Sequence, residues 1–121
     1  MRRTISIMLA AVLFVTFCGI TAEAAFDEGS YNGYAYEANL NITSSTVSGN
    51  MAYQGATKLR IEGTGYYING QGIQETMSLL SNRASSYVSF SENPENGGQF
   101  TMANCNFKVG ATTIVNLTAY P

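Results

Sequence analysis

Apolar and polar side chains alternate with a period of two residues through most of this chain. The clearest run is residues 33–43, where Tyr34, Tyr36, Ala38, Leu40 and Ile42 occupy every second position. Such alternation places the apolar side chains on one face of a β-strand. After residue 24 no stretch shows the 3.6-residue apolar period of an amphipathic helix. The chain is therefore expected to be all-β.

Short segments rich in Gly, Asn and Ser divide the alternating runs into about eight strands. The predicted strands are residues 33–43, 47–54, 58–62, 66–68, 71–80, 84–91, 99–109 and 111–120. Residues 25–32 are expected to be a polar lead-in that ends in an Asn32-Gly33 turn. Short connections in sequence order are typical of a single antiparallel meander. We favour closure into a small β-barrel, because closure removes exposed strand edges. A β-sandwich is the alternative.

The dipeptide Asn69-Gly70 predicts a β-hairpin. Both residues tolerate the positive φ angles of a type I′ turn, so Ile68 is expected to pair with Gln71. This register directs one set of side chains into the core: Thr64, Tyr66, Ile68, Ile73, Met77 and Leu79. Tyr67 is expected to face solvent.

Two irregularities are expected in the sheet. Leu59 and Ile61 are inward at odd positions, whereas the hairpin register makes even positions inward, so Gly63 and Gly65 are predicted to form a bend or, equally, a short loop. In residues 99–109 the apolar phase also changes. A β-bulge near Ala103 would account for that change.

The N-terminus has the features of a secretory signal peptide. Two arginines precede an apolar segment at residues 5–20, and Ala22-Glu23-Ala24 is a small-x-small triplet of the kind that signal peptidase cleaves. We predict a signal peptide at residues 1–24, a single all-β domain at residues 25–121, and a secreted or periplasmic location in a bacterium. The rival interpretation is a retained membrane anchor, although residues 5–20 are short for a span.

Charged residues make up only 12% of the chain, about half the usual fraction for a soluble protein. After residue 24 the cations are Lys58, Arg60, Arg83 and Lys108, which are scattered along the sequence. Nucleic acid and, after signal cleavage, membrane are disfavoured as partners, because both require clustered Lys and Arg. Cys105 is the one cysteine after residue 24, so it is expected to be a buried thiol without a disulfide partner.

The chain contains no histidine. This excludes Ser-His and Cys-His nucleophilic catalysis and every zinc site that uses histidine. We therefore expect a protein that is not an enzyme and that has no metal and no cofactor. The oxygen-rich loop at residues 92–96 lacks the pattern of a calcium loop and is interpreted as a solvated connection.

Four residues are candidates for ligand binding: Glu75, Tyr66, Tyr67 and Tyr87. Glu75 is expected on the core face beside Tyr66, where a carboxylate either lines a ligand cavity or reaches water at a strand end. Tyr67 and Tyr87 are expected to point outward, and exposed tyrosines among polar residues are typical of recognition surfaces. Tyr67 could equally cover the backbone of Gly72 across the hairpin.

These features favour an exported, non-catalytic and monomeric binding module for a protein, a glycan or a small apolar ligand. The alternative is a surface-assembly subunit that pairs through an exposed strand edge, for which residues 33–43 are the candidate strand.

Overall fold

The computed structural model describes residues 23–121, and every regular element in that range is a β-strand. The strands are β1 (Glu23–Tyr31), β2 (Tyr34–Ile42), β3 (Val47–Tyr53), β4 (Leu59–Ile68), β5 (Gln74–Leu80), β6 (Tyr87–Glu92), β7 (Gln99–Val109) and β8 (Thr112–Ala119). The all-β prediction is confirmed. No helix within this range is long and apolar enough to cross a membrane.

The eight strands form two four-stranded antiparallel sheets, in the orders β1-β2-β3-β6 and β5-β4-β7-β8. The arrangement is sandwich-like. Within residues 23–121 no ladder joins one sheet to the other, although β1 lies against β8. The favoured closed barrel is thus not confirmed.

Strand order also differs from the predicted meander. The chain passes from one sheet to the other between β3 and β4, between β5 and β6, and between β6 and β7. Residues 33–43 correspond to β2, which is paired on both sides, by β1 and by β3. The expectation that this segment is an open edge is therefore wrong, because alternation shows which face of a strand is buried but not which strands pair with it.

The segment expected to be a polar lead-in is strand β1, which pairs with β2 along nine residues. The turn between them is Asn32-Gly33, and its φ angles of 52° and 82° are the positive pair that a type I′ turn requires. The predicted signal peptide, residues 1–24, lies outside the described residues except for Glu23 and Ala24, the first two residues of β1.

The core lies between the sheets and follows the alternation of the strands. Leu40, Met51 and Val88 enter it from one sheet, and Ile61 and Phe107 enter it from the other. Cys105 is fully buried among them, as predicted. Burial raises the pKa of its thiol to about 12, so it stays protonated and behaves as a small apolar side chain.

Strand β4 is continuous and does not bend at its glycines. Its odd-numbered residues face inward from Leu59 to Tyr67. The predicted irregularity lies instead on β7: Tyr66 is opposite Met102 while Tyr67 is opposite Phe100, which leaves Thr101 as an extra residue. The predicted bulge is thus present two residues before Ala103, and it accounts for the change of apolar phase.

The β4–β5 hairpin closes with a five-residue loop, Asn69 to Ile73, instead of a two-residue turn. Ile68 pairs with Gln74, and the Asn69 amide donates to the Ile73 carbonyl oxygen (2.9 Å). Asn69 Oδ1 accepts hydrogen bonds from the amides of Gln71 (2.8 Å) and Ile73 (3.1 Å). This register moves β5 by three residues relative to the predicted one.

The five-residue loop also reverses the predicted faces of β4. Tyr67 is buried, at 2% exposure, whereas Ile68 and Ile73 are 42% and 54% exposed. The core face predicted from Asn69-Gly70 is wrong for Thr64, Tyr66, Ile68 and Ile73. It is right for Leu79, which is buried.

Candidate functional site

Three loops meet at one end of the sandwich: residues 43–46, 69–73 and 93–98. The Gly70 amide donates to the Asn96 carbonyl oxygen (3.0 Å), and the Phe100 amide donates to the Ser44 carbonyl oxygen (2.8 Å). Thr46 Oγ1 also donates to Asn93 Oδ1 (3.1 Å). We call this region the loop end. Its hydrogen bonds fix the loops to one another, so side chains on different loops keep their relative positions.

Glu75 lies at the loop end with both carboxylate oxygens hydrogen-bonded. Tyr67, its cross-strand neighbour on β4, donates its hydroxyl to Oε1 (2.8 Å), and Asn69 Nδ2 donates to Oε2 (3.0 Å). The carboxylate is partly buried. Two donors therefore hold it in a single orientation while its remaining lone pairs can still accept hydrogen bonds.

Tyr67 is held as a hydrogen-bond donor. The hydrogen bond to Glu75, followed by burial and the charges of Glu75 and Glu95, raises its pKa from 10.0 to about 12. Its ring also packs edge-to-face on Phe100, with the centroids 6.1 Å apart. Tyr67 therefore stays protonated at neutral pH and keeps its hydrogen bond to Glu75.

Two clefts open at the loop end, and both are lined in part by Asn69 and Gly70. The first has a volume of about 300 Å³ and is lined by Asn69, Gly70, Gln71, Glu75 and Asn96. The second has a volume of about 320 Å³ and is lined by Ile68, Asn69, Gly70, Gly97, Gln99, Phe100 and Thr101. Three residues of the first cleft have amide side chains and one has a carboxylate. The Asn69 amide is already bonded to Glu75 and to the loop backbone, so Gln71, Asn96 and Glu75 are the side chains that can bond a ligand.

The structure brings together two of the four candidate residues. Glu75 and Tyr67 are hydrogen-bonded, although Tyr67 reaches Glu75 from the buried face and not from the outward face. Tyr66 lies on the opposite face of β4, where Thr101 Oγ1 donates to its carbonyl oxygen. Tyr87 is outward and 54% exposed, as predicted, but it belongs to β6 in the other sheet.

Sequence reasoning missed Asn69 and Asn96 as parts of this site. The Asn69-Gly70 dipeptide predicts a two-residue turn, whereas Asn69 at the start of a longer loop uses its side chain to cap the backbone. Asn96 reaches the cleft because its loop packs on Gly70. That contact between loops has no signal in the local sequence.

Within residues 23–121, no three His, Cys, Asp or Glu residues are placed to hold a metal ion together. In the oxygen-rich loop at residues 92–96, the Asn93 side chain accepts from Thr46 and the Asn96 carbonyl accepts from Gly70. Both oxygens thus contribute to the packing of the loops.

Comparisons with protein families, with curated proteins and with solved structures find no match to this chain.

Proposed function

We propose that this protein is an exported, non-catalytic binding module that binds a hydroxyl-rich ligand, a glycan, in the loop-end cleft. The observation that carries the proposal is the Glu75 carboxylate, which Tyr67 and Asn69 hold in place beside a cleft of about 300 Å³. A preoriented carboxylate can accept two hydroxyl groups without losing conformational entropy when the ligand binds.

The chemistry of the cleft favours a glycan over a small apolar ligand. Sites for apolar ligands are lined mainly by apolar side chains, whereas this cleft is lined by Asn69, Gln71, Glu75 and Asn96. Amide and carboxylate groups match the donors and acceptors of sugar hydroxyls. The space between the sheets is occupied by the buried side chains of both sheets.

Two titratable side chains, Tyr67 of the site and Cys105 of the core, also support a role without catalysis. Acid–base catalysis needs a group that titrates near the working pH. The chain has no histidine, and the pKa values of Tyr67 and Cys105 are raised to about 12. Both groups therefore remain protonated at neutral pH.

Glu75→Gln is expected to weaken glycan binding about tenfold, because the amide keeps the shape of the side chain but removes the negative charge and replaces one acceptor oxygen with a donor. The probe is an array of neutral oligosaccharides, followed by calorimetry on those that bind. Asp27→Asn is the matched control: Tyr36 donates its hydroxyl to Asp27 (2.9 Å) between β1 and β2, outside the cleft. It should leave binding unchanged.

Three results would contradict the proposal. The first is that the protein binds no oligosaccharide. The second is that Glu75→Gln binds as tightly as the unmodified protein, and the third is that Asp27→Asn loses as much affinity as Glu75→Gln. The last result would indicate a general effect of removing a Tyr–carboxylate pair.

One observation favours the second candidate, an assembly subunit. Strand β8 is an edge strand that β1 lies against without a ladder between them. It contains neither a charged residue nor a proline, which are the usual protections against pairing with another chain. Sedimentation at two concentrations distinguishes the candidates. The binding-module proposal predicts a monomer at both concentrations, whereas growth of polymers at the higher concentration would favour assembly through β8.

A further inference from the structure

All four cations of the described range lie together at the end of the sandwich opposite the loop end. Arg60 and Lys108 are cross-strand neighbours on β4 and β7. The bridge between Leu59 and Ala84 brings Arg83 beside the start of β4, where Lys58 also lies. Residues that are scattered in the sequence are therefore neighbours in the fold, so the premise that clustered Lys and Arg are absent is wrong.

This basic patch, defined as Lys58, Arg60, Arg83 and Lys108, already holds one carboxylate. Lys108 Nζ lies 3.0 Å from Glu62 Oε1, and Arg60 Nε lies 3.8 Å from Glu62 Oε2. The hydrogen bond from Lys108 is the largest cause of the lowered pKa of Glu62, and the charges of Lys108, Arg60 and Arg83 add to it. One carboxylate among four cations leaves a local excess of positive charge.

The basic patch continues along the outward face of the same sheet into an array of amide groups. Asn116 Nδ2 donates to Asn106 Oδ1 (2.7 Å) and to Asn104 Oδ1 (3.1 Å), while Asn104 Nδ2 donates to Asn116 Oδ1 (2.9 Å) and to Thr118 Oγ1 (2.7 Å). These bonds fix the amides on β7 and β8. From Lys108 to Asn104 the strand extends about 13 Å, at 3.3 Å per residue.

We propose that the outward face of β4, β7 and β8 binds an acidic polysaccharide, whose carboxylates take the place that Glu62 occupies between Lys108 and Arg60. Charge complementarity supports an anionic partner. The amide hydrogens of Asn104 and Asn116 are used within the array, but the amide oxygens of the array can each accept a further hydrogen bond from the hydroxyl groups between successive carboxylates. The inference does not depend on the loop-end cleft, because the two surfaces share no residue.

The same features argue against a membrane or a nucleic acid as the occupant. Residues 23–121 contain eight Asp and Glu residues and four Lys and Arg residues, so the net negative charge of this range disfavours contact with an extended anionic surface. The amide array next to the patch instead matches the narrow, hydroxyl-bearing chain of a polysaccharide.

Binding to polygalacturonate tests the proposal, with the same polymer in methyl-esterified form as the neutral control. Glu62→Gln removes the carboxylate that competes for the basic patch, so it should strengthen binding about three- to fivefold, the effect of one exposed ion pair. Arg83→Gln and Lys108→Gln should each weaken binding by a similar factor. Glu92→Gln makes the same change of charge as Glu62→Gln, but at the loop end, and should have no effect.

Binding should also disappear at high salt, because the charges are accessible to solvent. Equal binding to the esterified polymer would overturn the proposal, as would an unchanged or weaker affinity in Glu62→Gln. So would tighter binding to a single-stranded DNA oligonucleotide or to anionic phospholipid vesicles than to polygalacturonate. A loss of binding in Glu75→Gln with Glu62→Gln unchanged would instead place the polymer at the loop end.

Discussion

Gly63→Ala is expected to destabilise the protein by about 3 kcal/mol, at the upper end of the usual range for overpacking. A Cβ atom at Gly63 would collide with the carbonyl oxygen of Asn104, and it would lie 2.6 Å from Cys105 Sγ and 2.8 Å from Cys105 Cα. Asn104 and Cys105 belong to β7, which is paired with β4 on one side and β8 on the other. The backbone therefore cannot move aside without breaking ladder hydrogen bonds.

Urea unfolding measures this effect, and Gly29→Ala is the matched control. The three atoms nearest to a Cβ atom at Gly29 all belong to the side chain of Tyr36, with Oη at 3.2 Å, and that side chain can move. The control should cost less than about 1 kcal/mol. Similar losses in the two variants would show that β4 and β7 do not approach as closely as described.

Tyr67→Ala is expected to lower the melting temperature by more than about 10 °C, whereas Tyr87→Ala should change it by less than about 2 °C. Tyr67 is 2% exposed, packs on Phe100 and donates a hydrogen bond to Glu75. Tyr87 is 54% exposed. Alanine thus leaves a cavity at the first position and removes only surface area at the second.

Calorimetry of the two variants gives the comparison, with circular dichroism as the check that each is folded at low temperature. A large decrease of the melting temperature in Tyr87→Ala, or a negligible decrease in Tyr67→Ala, would contradict the burial of Tyr67. Either result would support the outward orientation that a two-residue turn predicts.

Tyr67 and Tyr87 show which features of the fold the local sequence predicts and which it does not. Alternation correctly predicted the class and the buried face of β2, where Ala38, Leu40 and Ile42 are fully buried and Tyr34, at the start of the strand, is half exposed. It could not predict loop length at Asn69-Gly70. The dipeptide permits a two-residue turn, but capping by the Asn69 side chain gives a five-residue loop, and a shift of three residues exchanges the faces.

Strand β1 was missed for a different reason. Its inward positions include Asp27 and Gly29, so it lacks the apolar alternation that marks the other strands. It is an edge strand, and the Asn32-Gly33 turn and the ladder with β2 hold it in place. Local sequence therefore contains the turn signal but not the tertiary pairing that makes the strand.

The candidate site was predicted in part. Glu75 was assigned to the inward face beside Met77, and both side chains are partly buried there, although the pairing used to reach that assignment was wrong. The donors that hold Glu75 and the basic patch around Glu62 depend on which strands are neighbours. Spacing along the chain does not contain that information.

The most direct test of the loop end as the binding site is an NMR titration. The ligand is an oligosaccharide that the protein binds in the oligosaccharide-array experiment. The account predicts that the largest shifts of backbone amides occur at Asn69, Gly70, Gln71, Glu75 and Asn96, and that Glu75→Gln reduces them. Shifts confined to the outward face of β6 around Tyr87, with no change at residues 69–75, would contradict it.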